Sequence, residues 1–261
     1  MMKFFIMLAS LLILAGCEEQ QKKEIKPLPK VHIATPFVEL PPYYIYTKDS
    51  GIEQDILEDA FQLAGYQPVF SRIRKREKVV SNPDYHYNCA STVNEKEKSL
   101  KGVAGFFSDE IISYQDAVIT LKTRTDEVTK QDNTVHINEL TDLEGKTIEA
   151  FKSAKKVLGL EDILKGNHLY HEHSGKASQI VLLYRGRIDA LIMDERIFKH
   201  FRKKVKNLVD INQAVRITYL FDMVPYHLFC TEKKYVNAFN QGLEKLRNSG
   251  RYRKIFEKYL D

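Results

Sequence analysis

The stretch that decides the fold is Arg185-Gly186-Arg187-Ile188-Asp189-Ala190-Leu191-Ile192-Met193-Asp194. Its basic start followed by glycine is typical of a helix end, because glycine readily adopts the left-handed conformation that closes a last turn. The apolar run that follows, up to Asp194, is typical of a strand buried on both faces. Since amphipathic spacing predicts a helix over Lys176–Tyr184 just before it, helix and strand alternate, which predicts a mainly parallel α/β sheet.

The same alternation extends outward in both directions. Strand-like apolar spacing occurs at 30–35, 68–70, 86–92, 115–121 and 147–151. Helical spacing occurs at 52–64, at 195–201 and in two closing helices that flank 248–250. The polar stretch 122–133 separates two α/β units, so we interpret it as a crossing between two lobes. The segment 215–231 is rich in β formers and is interpreted as the return.

Composition indicates an ordinary globular protein. The chain has 261 residues, of which 43% are hydrophobic and 29% are charged, so two domains of ordinary size are possible. A mean hydropathy of -0.37 argues against a protein with many membrane spans. The net charge is +5, and the basic clusters at 72–76 and 202–204 are short and adjoin acidic residues. We interpret them as solvated faces and predict no nucleic-acid partner.

The N-terminal segment indicates export. One basic residue, Lys3, precedes the apolar run 4–16, which is the length of a secretory signal and too short to span a membrane. Leu14-Ala15-Gly16-Cys17 resembles the bacterial lipobox. The resemblance implies a signal peptide at 1–16, a lipidated Cys17 and a flexible tether at 17–29, holding the body at a membrane on its periplasmic or outer side. The alternative is an ordinary signal peptide with a chance cysteine.

The two remaining cysteines are an even pair in an exported chain. Cys89 and Cys230 each lie in an apolar, strand-like run, so they form either a disulfide or two buried free thiols. No Cys-x-x-Cys or His-Glu-x-x-His pattern occurs, and His171 and His173 are interpreted as surface histidines. We therefore predict no metal and no cofactor.

Five motifs, in order, resemble the family 3 extracellular solute-binding proteins of ABC importers, which have the type II periplasmic binding protein fold. They are the opening strand with its aromatic loop, 51–57, 143–148, 186–194 and 250–259. The resemblance implies an α/β, two-lobed fold in which each lobe is a mainly parallel sheet flanked by helices. It further implies two hinge crossings, lobe 1 at 30–121 plus 222–261, lobe 2 at 122–221, a ligand in the interlobe cleft and a monomeric protein.

The candidate ligand residues follow from that resemblance and from the chemistry of such a cleft. We expect Tyr44 and Tyr46 to form an aromatic wall, and Asp194 to accept a ligand ammonium while also capping the next helix. Ser153 and Ala154 are expected to donate backbone N–H groups to a ligand carboxylate. The remaining candidates lie around the position of the family's Thr-Pro-Glu-Arg motif: Ser91, Thr92 and Lys96. Lysine there offers a point charge instead of a planar fork, so the ligand is held differently or is not an α-amino acid.

The predicted function is the capture of a small polar ligand, an amino acid or a related small organic acid, for delivery to an ABC permease. No catalytic residue is predicted. The first alternative is a sensory or adaptor lipoprotein on the same fold, whose partner is a membrane sensor. The second is a lyase resembling cyclohexadienyl dehydratase, which would need a general acid such as Glu172, His173 or Lys96.

Overall fold

The computed structural model describes residues 27–74, 86–95, 103–124 and 132–260. The predicted signal peptide, Cys17, most of the tether and Lys96 lie outside these ranges. Within them, every helix is too short or too polar to cross a membrane.

The described residues form ten strands and six α-helices. The strands are β1 (Lys30–Pro36), β2 (Gln67–Ile73), β3 (Cys89–Val93), β4 (Phe106–Tyr114), β5 (Asp116–Leu121), β6 (Ile148–Ala150), β7 (Tyr170–Glu172), β8 (Ala190–Asp194), β9 (Val215–Thr218) and β10 (Val224–Cys230). The helices are α1 (Ile52–Leu63), α2 (Ala154–Val157), α3 (Lys176–Tyr184), α4 (Glu195–Lys204), α5 (Lys233–Asn248) and α6 (Arg251–Leu260).

The strands form two five-stranded sheets of the same design. The first has the order β2-β1-β3-β10-β4 and the second the order β7-β6-β8-β5-β9. Only β10 runs against its neighbours in the first sheet, and only β5 does so in the second. Each reversed strand is the one that the chain enters from the other sheet. The predicted two-lobed α/β fold with mainly parallel sheets is confirmed.

The two crossings are shorter than the sequence suggests. Because β4 ends at Tyr114 in the first sheet and β5 begins at Asp116 in the second, the chain crosses at Gln115. The interpretation of 122–133 as the crossing is therefore wrong. The reason is that β5, a run of apolar side chains, is buried between β8 and β9 in the second lobe. The chain returns between β9 and β10, at 219–223.

Strand β4 is absent from the sequence-based expectations. Its nine residues include Asp109 and Glu110, which are exposed and interrupt the apolar alternation. The strand is nonetheless required, because it pairs with β10 and closes that edge of the first sheet. Lobe 1 hereafter denotes the first sheet with α1, α5 and α6, and lobe 2 the second sheet with α2, α3 and α4.

Cys89 and Cys230 form a disulfide. They are directly opposite each other on β3 and β10, and both are fully buried. Of the two possibilities left open by the sequence, the structure shows the bonded one. The bond joins two neighbouring strands of lobe 1. In the sequence, β3 precedes lobe 2 and β10 follows it.

A close approach at Gly51 fixes the aromatic loop on helix α1. Gly51 has a φ of 148°, and a Cβ atom there would lie 2.2 Å from the carbonyl oxygen of Tyr43, so only glycine fits. The first amides of the helix, those of Ile52 and Glu53, donate to the carbonyls of Pro42 and Tyr43 at 2.9 and 3.2 Å. These bonds satisfy helix donors that lack intrahelical partners. They also hold the loop, and with it Tyr43 and Tyr44, at the end of β1.

Candidate functional site

Three predicted residues form a hydroxyl cluster in lobe 1. The hydroxyl oxygens of Tyr44 and Ser91 lie 2.7 Å apart, and those of Thr92 and Tyr44 lie 3.3 Å apart. All three side chains are buried. Because Ser91 and Thr92 lie near the carboxyl end of β3, the cluster occupies the edge of the sheet at which α/β proteins bind ligands. Three of the predicted ligand residues therefore lie together in the structure, and their contact with a ligand stays a prediction.

Thr92 has an unusual backbone conformation. Its φ is +56°, a left-handed value that is a genuine outlier for a β-branched residue. The neighbouring β3–β10 ladder is irregular between His227 and Phe229, which allows the departure. Such strain costs about 1–3 kcal/mol and clusters at functional sites. In this conformation the Thr92 hydroxyl donates to Glu53 at 2.7 Å.

Glu53 is a fully buried carboxylate that sequence reasoning missed. It lies in the first turn of α1, where the helix dipole favours a negative charge. One carboxylate oxygen accepts from Thr92, and the other accepts from the hydroxyl of Tyr114 at 3.0 Å. Nothing in the sequence distinguishes it from the partly buried Asp55 two residues later, because burial depends on where β3 and β4 pack.

Two stacked tyrosines connect Glu53 to the other lobe. The rings of Tyr114 and Tyr43 are stacked with centroids 3.9 Å apart. The Tyr43 hydroxyl donates to a carboxylate oxygen of Asp194 at 2.8 Å. Burial first, and then the charge of Asp194, raise the pKa of Tyr43 well above its ordinary value, so it remains a neutral donor. The polar network thus runs from the hydroxyl cluster of lobe 1 to the end of β8 in lobe 2.

Asp194 accepts four hydrogen bonds from the protein itself. As the N-cap of α4, one oxygen accepts from the amides of Arg196 and Ile197, each at 3.0 Å, in addition to the Tyr43 hydroxyl. The other oxygen accepts from the amide of Gln115 at 3.0 Å. Burial raises the pKa of Asp194, while these donors oppose the rise. The capping role predicted beside ligand binding is confirmed.

Arg196 makes a second contact between the lobes. Its guanidinium donates to the carbonyl of Ser113 on β4 at 2.6 Å and lies 3.4 Å from the Tyr43 hydroxyl. It also lies over the ring of Phe256 on α6, 5.2 Å from the centroid. Three groups of lobe 1 therefore surround one cation of lobe 2. The basic residue is visible in the sequence, but its partners are 83, 153 and 60 positions away, so local patterns do not identify it.

Asp116 lies beside Asp194 at the start of β5. The two aspartates face each other in the antiparallel pairing of β5 with β8. Burial first, and then the charge of Asp194, raise the pKa of Asp116 to about 7. The point at which the chain crosses between lobes therefore carries a carboxyl group that titrates near neutrality.

The backbone amides of lobe 2 that are predicted to bind a ligand carboxylate already donate to other groups of the protein. The amides of Ser153 and Lys155 donate to the Glu172 carboxylate at 2.6 and 2.7 Å, and that of Ala154 donates to the carbonyl of Phe151 at 3.0 Å. A side chain of the protein thus takes the place expected for a ligand carboxylate. The prediction for Ser153 and Ala154 missed this because Glu172 follows them by nearly twenty residues, on β7.

The other predicted residues lie apart from the network or outside the described residues. The Tyr46 hydroxyl donates to the carbonyl of Pro36, and the Arg72 guanidinium lies 4.0 Å from the centre of its ring. Its ring lies 5.9 Å from that of Tyr44, so the two predicted wall residues are neighbours. Lys96 cannot be placed, since 96–102 lies outside the described ranges.

His173 lies at the surface, as the sequence suggested, with 38% of its side chain exposed, and it also contacts two groups of lobe 2. Its Nε2 lies 2.9 Å from the buried carboxylate of Glu149, and its Nδ1 accepts the amide of Gly175 at 3.0 Å. Because Nδ1 accepts, the Nε2 nitrogen that faces Glu149 carries a proton. Both nitrogens are used for structure in lobe 2. Among the described residues, no group of three or more His, Cys, Asp or Glu side chains is placed to hold a metal ion.

Comparison with known proteins identifies solved structures of the same architecture. No family model matches the sequence, and no curated protein matches it. The chain is similar over 89% of its length to an ancestral cationic amino acid solute-binding protein, covering 96% of that chain with a TM-score of 0.65 and 16% identity. It is similar over 88% to the second substrate-binding domain of Lactococcus lactis GlnP in an open conformation, covering 95% with a TM-score of 0.59 and 20% identity.

A sensor domain also has this architecture. The chain is similar over 90% of its length to a histidine kinase sensor domain described as resembling periplasmic binding proteins, covering 97% of it with a TM-score of 0.61 and 14% identity. At these identities the comparisons concern the fold. Together with the two sheets described above, they show that the chain has the two-lobed fold of periplasmic binding proteins.

Proposed function

We propose that the protein captures a small polar ligand between its two lobes. The observation that carries the proposal is the polar network from the hydroxyl cluster through Glu53, Tyr114 and Tyr43 to Asp194. It lies at the carboxyl ends of strands from both sheets, where ligands of α/β proteins bind. It combines hydroxyl donors, carboxylate acceptors and aromatic faces, the groups that orient a small polar molecule.

The network favours a ligand with hydrogen-bond donors. Two of its groups, Glu53 and Asp194, are carboxylates, whereas the amides of lobe 2 expected to bind a carboxylate are bonded to Glu172. Solved structures of the same fold include one bound to arginine and one bound to L-glutamate. An amino acid or an amine with a polar body is therefore the first class to test, and simple dicarboxylates are the second.

Binding is tested by a thermal-shift screen of a metabolite library, followed by isothermal titration of every compound that raises the melting temperature. A ligand that binds only the folded protein stabilises it, by about 2.7 kcal/mol at a concentration of 100 times its Kd. We expect at least one amino acid or related amine to do so. No stabilisation by any member of the library would contradict the proposal.

The location is tested with two buried threonines. Thr92→Ala removes a hydroxyl of the network, and we expect it to weaken binding by about tenfold or more, since a hydrogen bond to a charged group is worth about 1.5–3 kcal/mol. The control is Thr120→Ala in β5, which removes an equally buried hydroxyl in the second sheet, away from the network. Equal affinity in both variants would place the ligand elsewhere.

We propose that this body acts at a membrane, held there by lipid on Cys17. The lipobox-like sequence supports it, and two or more acyl chains anchor a protein stably where one does not. Delivery to an ABC permease is the first role, because several solved structures of this fold are substrate-binding proteins of amino acid transporters. In cells, Cys17→Ser is expected to move the protein from the membrane to the soluble fraction; an unchanged distribution would contradict the anchor.

The second candidate role is sensing, and the similarity to a histidine kinase sensor domain favours it. Uptake of radiolabelled ligand separates the two roles. A transport role predicts that deletion of the gene abolishes high-affinity uptake, whereas a sensory role predicts normal uptake and a lost transcriptional response. A lyase is the less favoured reading, because Glu172 and His173, two of the acids that it would use, are bonded to backbone amides and to Glu149.

A further inference from the structure

The contacts between the lobes converge on two residues of lobe 2. Asp194 accepts the Tyr43 hydroxyl of lobe 1 at 2.8 Å, and Arg196 donates to the Ser113 carbonyl of lobe 1 at 2.6 Å. Arg196 also lies 3.4 Å from the same Tyr43 hydroxyl, so the phenol oxygen contacts both the Asp194 carboxylate and the Arg196 guanidinium. Every one of these groups belongs to the protein itself.

The bonds of Asp194 differ in how easily they can be exchanged. Three of its donors are backbone amides, those of Arg196, Ile197 and Gln115, and they are fixed by helix α4 and by the crossing. The fourth donor is the Tyr43 hydroxyl, on a side chain. A carboxylate has about four acceptor positions. Among these four donors, only the Tyr43 hydroxyl lies on a side chain that can turn away, so it is the donor that a ligand can replace.

We propose that Tyr43, Asp194 and Arg196 form a latch that holds the two lobes together without ligand, and that the ligand's own donor group displaces the Tyr43 hydroxyl from Asp194. This inference rests on the proposed ligand-binding function and adds a specificity rule to it. Ligands with an ammonium, guanidinium or hydroxyl group can replace the phenol, because they supply the hydrogen bond that Asp194 loses. A ligand that offers only acceptors cannot, since it would leave two acceptors facing each other.

The stacking of the rings explains why the phenol stays in place until it is replaced. The Tyr43 ring lies on that of Tyr114 with centroids 3.9 Å apart, and Tyr114 in turn donates to the buried Glu53. A ligand that displaces Tyr43 therefore moves a ring that is stacked on Tyr114, and through Tyr114 it affects Glu53 and the hydroxyl cluster. Tyr43 is a positioning residue in this scheme, and it also competes with the ligand.

The first test measures the distance between the lobes without any ligand. Spin labels on Gln62→Cys in α1 and Lys156→Cys in α2, both exposed, report the distance by pulsed electron resonance in the full chain carrying Cys17→Ser. In Tyr43→Phe we expect a broader distribution shifted by several ångströms to longer distances. The control is Tyr252→Phe, which removes a hydrogen bond of 2.7 Å to Ile111 within lobe 1. A Tyr43→Phe distribution that superimposes on the parent's would overturn the latch.

A second variant, Arg196→Lys, keeps the latch testable if Tyr43→Phe does not fold. Arg196→Lys keeps the charge but replaces the guanidinium, whose Nη1 contacts both Ser113 and Tyr43, with a compact ammonium on a shorter side chain. It leaves the Tyr43 ring and its stacking unchanged. We expect the same shift to longer distances, though smaller, and a distribution identical to the parent's in a folded Arg196→Lys would also overturn the latch.

The second test concerns displacement. For a ligand with a donor group, found in the screen above, we expect Tyr43→Phe to bind about tenfold tighter than the parent, because no bond to Asp194 has to be given up. Unchanged or weaker binding would overturn displacement. The outcomes separate the two proposals: an opened Tyr43→Phe with no ligand for either protein defeats the proposed function and leaves the latch standing. If the parent binds a ligand but neither Tyr43→Phe nor Arg196→Lys shifts the distance between the lobes, the proposed function stands and the latch is defeated.

Discussion

The two lobes share a design and use it differently. Each has five strands with one reversed strand, and each presents polar groups at the carboxyl ends of its strands. In lobe 1 these groups form a buried network around Glu53 and the hydroxyl cluster, supported by a disulfide and a strained threonine. In lobe 2 the Ser153 amide donates to Glu172, and the Asp194 carboxylate caps helix α4 while it also accepts the Tyr43 hydroxyl of lobe 1. Equal topology therefore does not imply equal shares in ligand binding.

The largest difference that can be tested is the covalent bond of lobe 1. The double change Cys89→Ala and Cys230→Ala removes a link that spans 141 residues, and a chain-entropy estimate gives a loss of about 5 kcal/mol in the free energy of unfolding. Urea unfolding measures it, and hydrogen exchange of β3 and β10 against β6 and β8 shows which lobe opens first. A loss below 1 kcal/mol, or faster exchange in lobe 2 alone, would contradict the comparison.

The next largest effect is expected at the buried carboxylate of lobe 1. Glu53→Gln places an amide N–H₂ against two hydroxyls that now donate to Glu53, so at least one of them must turn or lose its partner. We expect a loss of about 2 kcal/mol in the free energy of unfolding, together with weaker ligand binding. Thermal and urea unfolding measure the first quantity and titration the second. A variant as stable as the parent would show that the carboxylate is not needed for the fold of the network.

The matched change in lobe 2 is Glu172→Gln, and its effect is expected to be smaller. Burial alone would raise the pKa of Glu172, but hydrogen bonds from Lys155, Tyr170 and Ser153 hold it below its ordinary value. The stability that the carboxylate contributes is therefore present at neutral pH and is lost as the pH falls through this lowered pKa. We expect a loss of about 1 kcal/mol at pH 7, because the site is open to water, and a smaller loss at pH 3.

Unfolding of Glu172→Gln and the parent at both pH values tests this prediction. A loss at pH 7 as large as that of Glu53→Gln would show that the two lobes depend equally on their carboxylates. Equal differences at both pH values would contradict the assigned role of the charge.

The last expected effect concerns the crossing between the lobes and, unlike the others, is a gain in stability. Because the folded-state pKa of Asp116 is raised to about 7, the folded protein holds this proton more tightly than the unfolded chain does. Stability is therefore lost as the pH rises from about 4 to about 7. Asp116→Asn removes the charge, and we expect its free energy of unfolding to exceed that of the parent at pH 8, by at most about 4 kcal/mol, but not at pH 4. Equal stabilities at pH 8 would contradict the raised pKa.

Much of the fold follows from local patterns. Helix α3 begins and ends where its apolar spacing predicts, and β8 follows Gly186 as the opening stretch indicates. The strand that was missed, β4, has charged residues on its exposed side, which hide the alternation. The crossing was misplaced for a related reason, because a polar stretch was taken as the link when the chain changes sheets at the single residue Gln115.

The candidate site follows less well from the sequence, for physical reasons. Tyr44, Ser91 and Thr92 lie at strand and loop positions that the topology brings together, so they could be predicted as a group. Tyr43 and Glu53 differ from their neighbours Tyr44 and Asp55 only in what surrounds them. The role of Glu172 depends on a bond to amides that precede it by 17 to 19 positions.

The sequence by itself determined the alternation of helices and strands, the pairing of Cys89 with Cys230 as one of two possibilities, and the helix cap at Asp194. These features depend on residue type and short spacing, which a linear pattern records. Only the tertiary structure decided which donors and acceptors remain for a ligand. Hydrogen bonds between distant segments, such as Tyr43 with Asp194 and Ser153 with Glu172, use up groups that the sequence alone leaves open.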